Sequence, residues 1–255
     1  VIVYKSFLSR RSLLAYDIIY NFLGLSFTFN NEWWFVLPFA VLLVLFPAMK
    51  RFAERRRAGL CVDLFLVLIL NAVIVYIIPY VMTLTVFAGL SSTVFWSRTK
   101  EVLELLPAFL TGIIFARWDV LSAVKTRFGG RLLWCAAAVA GMCAIFLVRA
   151  HNAKYYDFVN AAAFVMCLAV LLPTKPMALA GRVLAKLGEE SAIMWLVHTF
   201  LCYYWLQRLV YAPKYAVLIF LWLVALSYGF AKLIRLLWKW IGTVCSRLLK
   251  PRTEV

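Results

Sequence analysis

Residues 59–82, GLCVDLFLVLILNAVIVYIIPYVM, form an almost unbroken apolar run. Asp63 and Asn71 are its only charged or amide side chains. A bilayer core of about 30 Å is crossed by a helix of roughly 20 apolar residues, whereas a surface helix of a soluble protein shows a polar face. This run has no such face, so it predicts a transmembrane helix.

The rest of the chain has the same character. Of its 255 residues, 65% are hydrophobic and only 15% are charged, and the mean hydropathy is +0.91. These values exclude a soluble globular protein and a disordered or collagen-like chain. Seven stretches are apolar enough to be predicted spans, and they cover 33–49, 59–82, 102–118, 132–148, 158–173, 191–206 and 215–234. The sequence therefore predicts an all-α, polytopic transmembrane helix bundle of about seven spans.

The positions of the basic residues predict how the spans are oriented. About two thirds of the 27 Lys and Arg residues fall within alternate connections, at 50–57, 117–131, 175–186 and from 232 onwards. By the positive-inside rule this side is cytoplasmic, which predicts a multi-pass protein of the cell (inner) membrane with a cytoplasmic carboxyl terminus. The net charge of +16 then reflects topology and contact with membrane lipid, and no nucleic-acid partner is expected.

Three regions are expected along the chain. Residues 1–32 are predicted to be an amphipathic segment on the outer face or the remnant of a preceding span, with an eighth span at 12–29 as the alternative. Residues 33–234 are the predicted transmembrane helix bundle. Residues 235–255 are predicted to be a basic cytoplasmic tail, partly an interfacial helix held by anionic lipid, with a simple extension of the last span as the alternative.

Few strongly polar side chains occur at the predicted spans, and each costs about 2.5 to 3.5 kcal/mol to insert unless it is paired or used. Asp63 is expected to pair with the basic run that precedes it. Glu101 and Glu104 lie one helical turn apart, where capping of a helix entrance is favoured over acid–base catalysis. His198 either packs against a helix or lines a substrate path, and both interpretations remain open. The other polar members of this set are Asn71, Asn160, Glu189 and Glu190.

Metal and cofactor chemistry has little support in the sequence. The six cysteines lie in or beside apolar stretches, without a CxxC motif and without a histidine at ligand spacing. No phosphate-binding loop, nucleophile elbow or HExxH pattern occurs either. No metal site and no bound cofactor are therefore expected.

The sequence NNEWWFVLPF, residues 30–39, is the clearest candidate for a binding site. It places two amides, a carboxylate and two indoles at a predicted outer membrane surface. An aromatic belt alone explains the tryptophans, but it does not require the amides and the carboxylate, which are groups that hydrogen-bond to sugar hydroxyls. The candidate substrate-binding residues are therefore Asn31, Glu32, Trp33 and Trp34 of this motif, together with His198 as the residue that lines a possible substrate path, and no catalytic residue is assigned.

Several stretches resemble the acyltransferase-3 family of membrane O-acyltransferases. The most specific is LAKLGEESAIMWLVHTFLCYYW, residues 184–205, and residues 20–47, 105–117 and 211–227 support it. The resemblance implies about ten spans in a full-length member. It also implies transfer of an acyl group, usually acetyl from acetyl-CoA, to a hydroxyl of a cell-surface polysaccharide or exopolysaccharide.

The resemblance further implies where the catalytic residues lie. The family's catalytic histidine belongs to its first span, and residues 1–29 contain no histidine. The chain is therefore expected to be the C-terminal two-thirds of a longer protein, with its catalytic residues upstream of Val1. Under this resemblance His198 lies in a late span and supports packing or the acceptor path.

Two other functional classes remain open at this point. Intramembrane polar residues also mark the pathways of transporters, so a transporter or flippase for a glycan or lipid intermediate is the main alternative. The other is a non-catalytic membrane subunit.

Overall fold

The structure is a computed structural model that describes residues 15–28, 30–56, 58–151 and 156–248. Residues 1–14 of the predicted amino-terminal segment and 249–255 of the predicted tail lie outside these ranges. Throughout the described ranges the regular structure is helical and contains no strand. The α-helices are α1 (Ala15–Phe22), α2 (Val36–Arg55), α3 (Leu60–Ala72), α4 (Ile78–Met82), α5 (Ala88–Ser91), α6 (Val94–Arg117), α7 (Val120–Phe128), α8 (Leu132–His151), α9 (Asp157–Leu171), α10 (Ala178–Thr199), α11 (Gln207–Val210) and α12 (Ala216–Leu248).

Shorter helical turns join or extend several of these helices. The turns at Asn31–Phe35, Thr85–Phe87 and Lys175–Met177 are 3₁₀-helical. Wider π-helical turns occupy Val73–Ile77, between α3 and α4, and Phe200–Trp205, directly after α10. Such π turns interrupt the regular hydrogen-bond ladder of an α-helix.

The predicted helical bundle is confirmed, and the described residues contain four to six candidate membrane spans, so the number of about seven stays a prediction. Four helical stretches of the described chain are long and apolar enough to cross a membrane, and they are Glu32–Arg55, Leu60–Met82, Leu132–His151 and Ala216–Ser246. Two further helix pairs, α6 with α7 and α9 with Lys175–Trp205, qualify only when each pair is counted as one span, which gives up to six. The fifth and sixth predicted spans fall within the second of these pairs.

The helices that contain the fifth and sixth predicted spans do not qualify separately, because the first is too short and the second is partly charged. With 15 residues, α9 is about 22 Å long at about 1.5 Å per residue, which falls short of the roughly 30 Å hydrocarbon core. The predicted sixth span begins inside α10, whose first twelve residues include Arg182, Lys186 and Glu189. The apolar run at 191–206 therefore corresponds to the last nine residues of a partly charged helix and the π turn that follows it.

The chain divides into two compact units, which are described separately here. The larger unit comprises Phe22–Ser26 and Trp34–Gly181. At its centre α6 packs against α2, α3 and α9, and α8 packs against α9. Its buried apolar side chains include Leu42 of α2, Val67 of α3 and Ile113 of α6.

Helix α6 stays helical through a proline, and a bend follows its last residue. Thr93 caps its start, because the Thr93 hydroxyl accepts a hydrogen bond from the Trp96 backbone N–H at 3.1 Å. Pro107 lies within the helix, and the Thr111 hydroxyl donates to the Pro107 carbonyl at 2.8 Å. Helix α7 then leaves at an angle of 61°, with Asp119 in a left-handed conformation at the junction (φ 45°), which an aspartate tolerates better than most residues.

Within the described residues, the smaller unit comprises 15–21, 27–28, 30–33 and 182–248. Its apolar core is formed by Leu201, Cys202 and Val210, against which Ile219 and Leu223 of α12 pack. Nearer the start of α10, Glu190 contacts Lys232 of α12. Glu190 contacts residue 232 of α12, whereas the later residue Leu201 packs near the earlier residue Ile219. The helices α10 and α12 therefore run antiparallel.

Large apolar side chains cover the outside of both units. Val44 and Leu132 in the larger unit are 79% and 88% exposed, and Trp238 in the smaller unit is 77% exposed. A protein surrounded by water does not expose contiguous apolar surface on this scale. The surface therefore supports the multi-pass membrane protein that the sequence predicts.

The last helix is longer than a single span requires. Helix α12 runs without a break from Ala216 to Leu248, a length of 33 residues, or about 50 Å at about 1.5 Å per residue. Its end therefore extends past a hydrocarbon core of roughly 30 Å, which is compatible with an extension of the last span. The interfacial position of residues 235–248 stays a prediction.

Reporter tags after Arg57 and after Lys214 distinguish the two topologies. Two separate spans at 158–173 and 191–206 place the tags on opposite sides of the membrane, whereas one broken span places them on the same side. We expect opposite sides, because the basic segments 175–186 and 232–252 then both remain cytoplasmic. A control tag after Arg98 lies opposite Arg57 in both topologies. Tags on the same side contradict the predicted orientation.

Candidate functional site

The described part of the motif at residues 30–33 packs against the last turn of α10 within the smaller unit. Asn30 is 1% exposed, and its side-chain amide donates a hydrogen bond to the Thr199 hydroxyl at 2.8 Å. The Asn30 side-chain oxygen accepts from the Glu32 backbone N–H at 3.1 Å, which closes a local turn of the kind that asparagine favours. Asn30 therefore shapes its own segment and attaches it to α10.

Trp33 provides a second attachment to the same turn. Its indole Nε1–H donates to the Leu196 backbone carbonyl at 3.2 Å. The Trp33 ring also meets the Phe200 ring edge-on, with 5.7 Å between the centroids. A buried tryptophan N–H normally requires a partner, and here that partner is the backbone of α10. Segments separated by more than 160 residues in sequence are thereby held together.

His198 lies on this same turn, between Leu196 and Thr199. Its Nδ1 is 2.6 Å from the Trp195 carbonyl, and its ring is 5.2 Å from the Trp195 ring. A carbonyl oxygen only accepts hydrogen bonds, so Nδ1 carries the proton. In the neutral imidazole the lone pair is then on Nε2, which is able to accept a hydrogen bond from a hydroxyl.

The remaining predicted binding residues are distributed differently. Glu32 lies in the 3₁₀ turn and is half-buried. Asn31 lies in the same turn, and its side chain is outside the described part of the structure. Trp34 belongs to the larger unit, where its ring meets Phe35 edge-on at 6.4 Å. The structure thus joins Trp33 to the turn that carries His198, and the binding roles of all five candidates stay predictions.

Thr199 was not predicted as a site residue, and Asn30 was considered only as one of the two amides of the motif. Asn30 is the first residue of the NNEWW motif, and Thr199 directly follows His198. Both are almost completely buried, at 1% and 2% exposure. In the sequence, each is a polar residue directly beside a predicted substrate-binding residue. Their contact with each other joins positions 169 residues apart, so it cannot be derived from local spacing.

Asp63 is paired in the larger unit, as its neighbouring basic run suggests. It is 4% exposed and accepts from Arg117 Nη1 and from Trp118 Nε1, each at 3.1 Å. Arg56 Nε lies 3.6 Å from its other carboxylate oxygen, and the Arg117 guanidinium also donates to the Arg56 carbonyl. The Asp63 carboxylate therefore ties the start of α3 to the end of α6.

Three other carboxylates of the set are also paired with cations. Arg98 Nη1 lies 2.8 Å from Glu101, and Lys100 Nζ lies 3.8 Å from Glu104. Each of these two glutamates faces a cation of its own helix. The predicted capping of a helix entrance is wrong, because α6 begins at Val94 with Thr93 as its cap and both glutamates lie inside the helix. In the smaller unit, Glu190 pairs with cations of α12.

A groove in the larger unit lies between α2 and α6, with a volume of about 820 Å³. Phe46 and Phe109 supply aromatic walls, and small residues of α6 form part of its floor. Lys50, Glu54 and Arg117 supply its charged groups. Across the described ranges, no group of three or more His, Cys, Asp or Glu side chains is arranged to hold a metal ion.

Comparison with known proteins gives one match. A model of the acyltransferase-3 family, described as an acyltransferase domain, matches residues 2–234. No curated protein and no solved structure matches the chain.

Replacing Asp63 with Asn tests the pairing at the end of α6. We expect the free energy of unfolding to fall by about 3 kcal/mol, because two cations lose a buried carboxylate. The measurement is unfolding of the purified protein in mixed micelles, in which the mole fraction of the denaturing detergent is increased. Glu54→Gln is the matched control, since Glu54 and Lys50 form a pair with both side chains 56% exposed, and its effect is expected to stay within about 0.5 kcal/mol. Equal effects of the two substitutions contradict the assigned role of Asp63.

Proposed function

Because the chain belongs to the acyltransferase-3 family, and is thus a membrane acyltransferase, we propose that it transfers acetyl from acetyl-CoA to a hydroxyl of a cell-surface polysaccharide or exopolysaccharide. The observation that carries the acceptor side of this proposal is the attachment of residues 30–33 to the turn of α10 that bears His198. The motif predicted to bind sugar and the helix turn that carries the predicted substrate-path residue His198 meet there.

The groups at this turn suit a sugar hydroxyl. His198 Nε2 offers a lone pair, since Nδ1 is committed to the Trp195 carbonyl. Glu32, in the attached 3₁₀ turn, offers carboxylate oxygens that accept further hydroxyl hydrogens. Asn30 and Trp33 already bond to α10, so we assign them to holding the acceptor-binding segment in place.

The proposed reaction is a direct acyl transfer between a thioester and a hydroxyl. A base removes the hydroxyl proton as the oxygen attacks the thioester carbonyl carbon. The tetrahedral oxyanion is stabilised by hydrogen-bond donors in a water-poor site. Its collapse breaks the carbon–sulfur bond, forms the sugar ester and releases the thiolate of coenzyme A, which takes up a proton. The resemblance puts the catalytic histidine in the family's first span, so His198 is assigned to acceptor binding.

The proposed location follows from the predicted topology. Acetyl-CoA is supplied from the cytoplasm, and the motif at residues 30–34 lies at the predicted outer end of its span. We therefore place the protein in the cell membrane, with a cytoplasmic carboxyl terminus, an inner donor and an outer or intramembrane acceptor.

The test of the proposed function is an acyl-transfer assay on membrane vesicles that contain the complete natural protein that includes this sequence. Vesicles receive acetyl-CoA labelled in the acetyl group together with the polysaccharide of the source cell. We expect label in the polysaccharide that mild alkali releases, because an O-ester is cleaved under conditions that leave an amide intact. Vesicles without the protein are the control. Absence of transfer, or alkali-stable label, contradicts the proposed function.

Substituting His198 in two ways separates acceptor binding from packing. Asn at this position retains a donor for the Trp195 carbonyl but lacks an atom at Nε2, whereas Gln reaches the Nε2 position. We expect His198→Asn to raise the KM for the polysaccharide about tenfold, the effect of one lost hydrogen bond of about 1.4 kcal/mol, and His198→Gln to raise it less. The KM for acetyl-CoA is expected to stay unchanged.

His151→Asn is the matched control for these variants. The His151 Nδ1 lies 2.8 Å from the Leu147 carbonyl, so this exposed histidine has a similar local contact in the larger unit. Its substitution is expected to leave both KM values unchanged. If the His198→Asn and His151→Asn variants have the same kinetics, acceptor binding by His198 is contradicted and its role is packing.

A further inference from the structure

Glu190 is a completely buried carboxylate between two cations. Its side chain is 0% exposed, and its oxygens lie 2.7 Å from Lys232 Nζ and 2.9 Å from Arg235 Nη2. A buried carboxylate is strongly unfavourable unless cations compensate for it. Here two cations of α12 face one carboxylate of α10, so this group of three side chains keeps a net positive charge.

The two cations are fixed in position and remain accessible. The Lys232 side chain is 46% exposed and that of Arg235 is 53% exposed. Lys232 Nζ also lies 5.3 Å from the centre of the Tyr228 ring, and Arg235 Nη2 donates to the Glu189 carbonyl at 2.9 Å. These contacts orient both side chains, which lowers the entropy lost when they bind a further anion.

More positive charge lies one helical turn further towards the same end of the helix pair. Lys186 precedes Glu190 by four residues on α10, and Lys239 follows Arg235 by four residues on α12, so each lies one turn along the same helix face. Because α10 and α12 run antiparallel, both displacements point the same way. Lys186 and Lys239 are exposed, and together with Lys232 and Arg235 they form what is called here the basic cluster.

We propose that the basic cluster is a binding site for phosphate ester groups. The arginine guanidinium pairs with phosphate oxygens through two parallel N–H donors, and lysine ammonium groups add compact positive charge. Glu190 sets the position of these donors and is not itself exposed to the ligand. Phosphate esters reach such a site from two sources, the nucleotide part of an acyl-CoA donor and the headgroup of an anionic lipid. The acyl-CoA source rests on the proposed function.

The test compares two double variants of the complete protein in lipid nanodiscs. Lys186→Gln with Lys239→Gln lowers the charge of the basic cluster and leaves the Glu190 ion pairs intact. Lys125→Gln with Arg131→Gln is the matched control, because it removes two exposed cations from another cytoplasmic segment by the predicted topology. Thermal unfolding of all three proteins verifies that each is folded.

The first arm measures the source in coenzyme A. In phosphatidylcholine nanodiscs, binding of coenzyme A and of adenosine 3′,5′-bisphosphate is titrated, with phosphate-free pantetheine as the negative probe. For this source we expect the cluster variant to bind coenzyme A and the bisphosphate about tenfold more weakly, the effect of one or two lost charge-assisted contacts. The control variant is expected to stay within about twofold of the unmodified protein.

The second arm measures the source in lipid. The proteins are reconstituted in an equal mixture of phosphatidylcholine and phosphatidylglycerol, and the phosphatidylglycerol retained after detergent exchange is measured by native mass spectrometry. A loss of retained phosphatidylglycerol in the cluster variant alone identifies the lipid headgroup as the ligand.

The outcomes separate this inference from the proposed function. A protein that binds no coenzyme A but loses phosphatidylglycerol in the cluster variant supports the phosphate site and contradicts the proposed donor. A protein that binds coenzyme A equally well in all variants, with unchanged lipid retention, overturns the phosphate site and leaves the proposed donor in place. Equal losses in the cluster and control variants also overturn it, because they reflect the general charge of the protein.

Discussion

A charged side chain in a hydrocarbon environment is stable only when other groups of the protein compensate its charge, and this constraint organises both units. In the larger unit Asp63 is bound by Arg117 and approached by Arg56. In the smaller unit Glu190 is held between Lys232 and Arg235. Both carboxylates therefore connect helices that are distant in sequence. The apolar side chains on the outside of these helices are left to face lipid.

The candidate acceptor site depends on polar contacts of another kind. Asn30 and Trp33 use neutral donors to bind a hydroxyl and a backbone carbonyl of α10. Neutral hydrogen bonds fix geometry without introducing net charge, so they suit a site at which a neutral sugar hydroxyl has to be oriented. His198 fits this arrangement, because its Nδ1 contact sets the tautomer and leaves Nε2 for a ligand.

The sequence predicted those features that depend on composition and local spacing. Hydropathy was sufficient for the all-α bundle, and the basic run before Asp63 was sufficient to expect that this residue is paired. The main partner, Arg117, lies 54 residues away, and such a contact depends on how helices pack. The same holds for the Glu190 pairs and for the contact of Trp33 with Leu196. The fifth and sixth predicted spans do not qualify separately by length and composition, because an apolar run does not show whether its helix continues into a charged segment, as α10 does.

The bend after α6 has a mechanical consequence. Arg117 and Trp118, the last residues before the 61° turn, are both bonded to Asp63, while the turn itself follows at Asp119. The Asp63 carboxylate therefore fixes the end of α6 immediately before the bend. Because Arg117 also lines the groove between α2 and α6, its bond to Asp63 fixes the position of one wall of that groove.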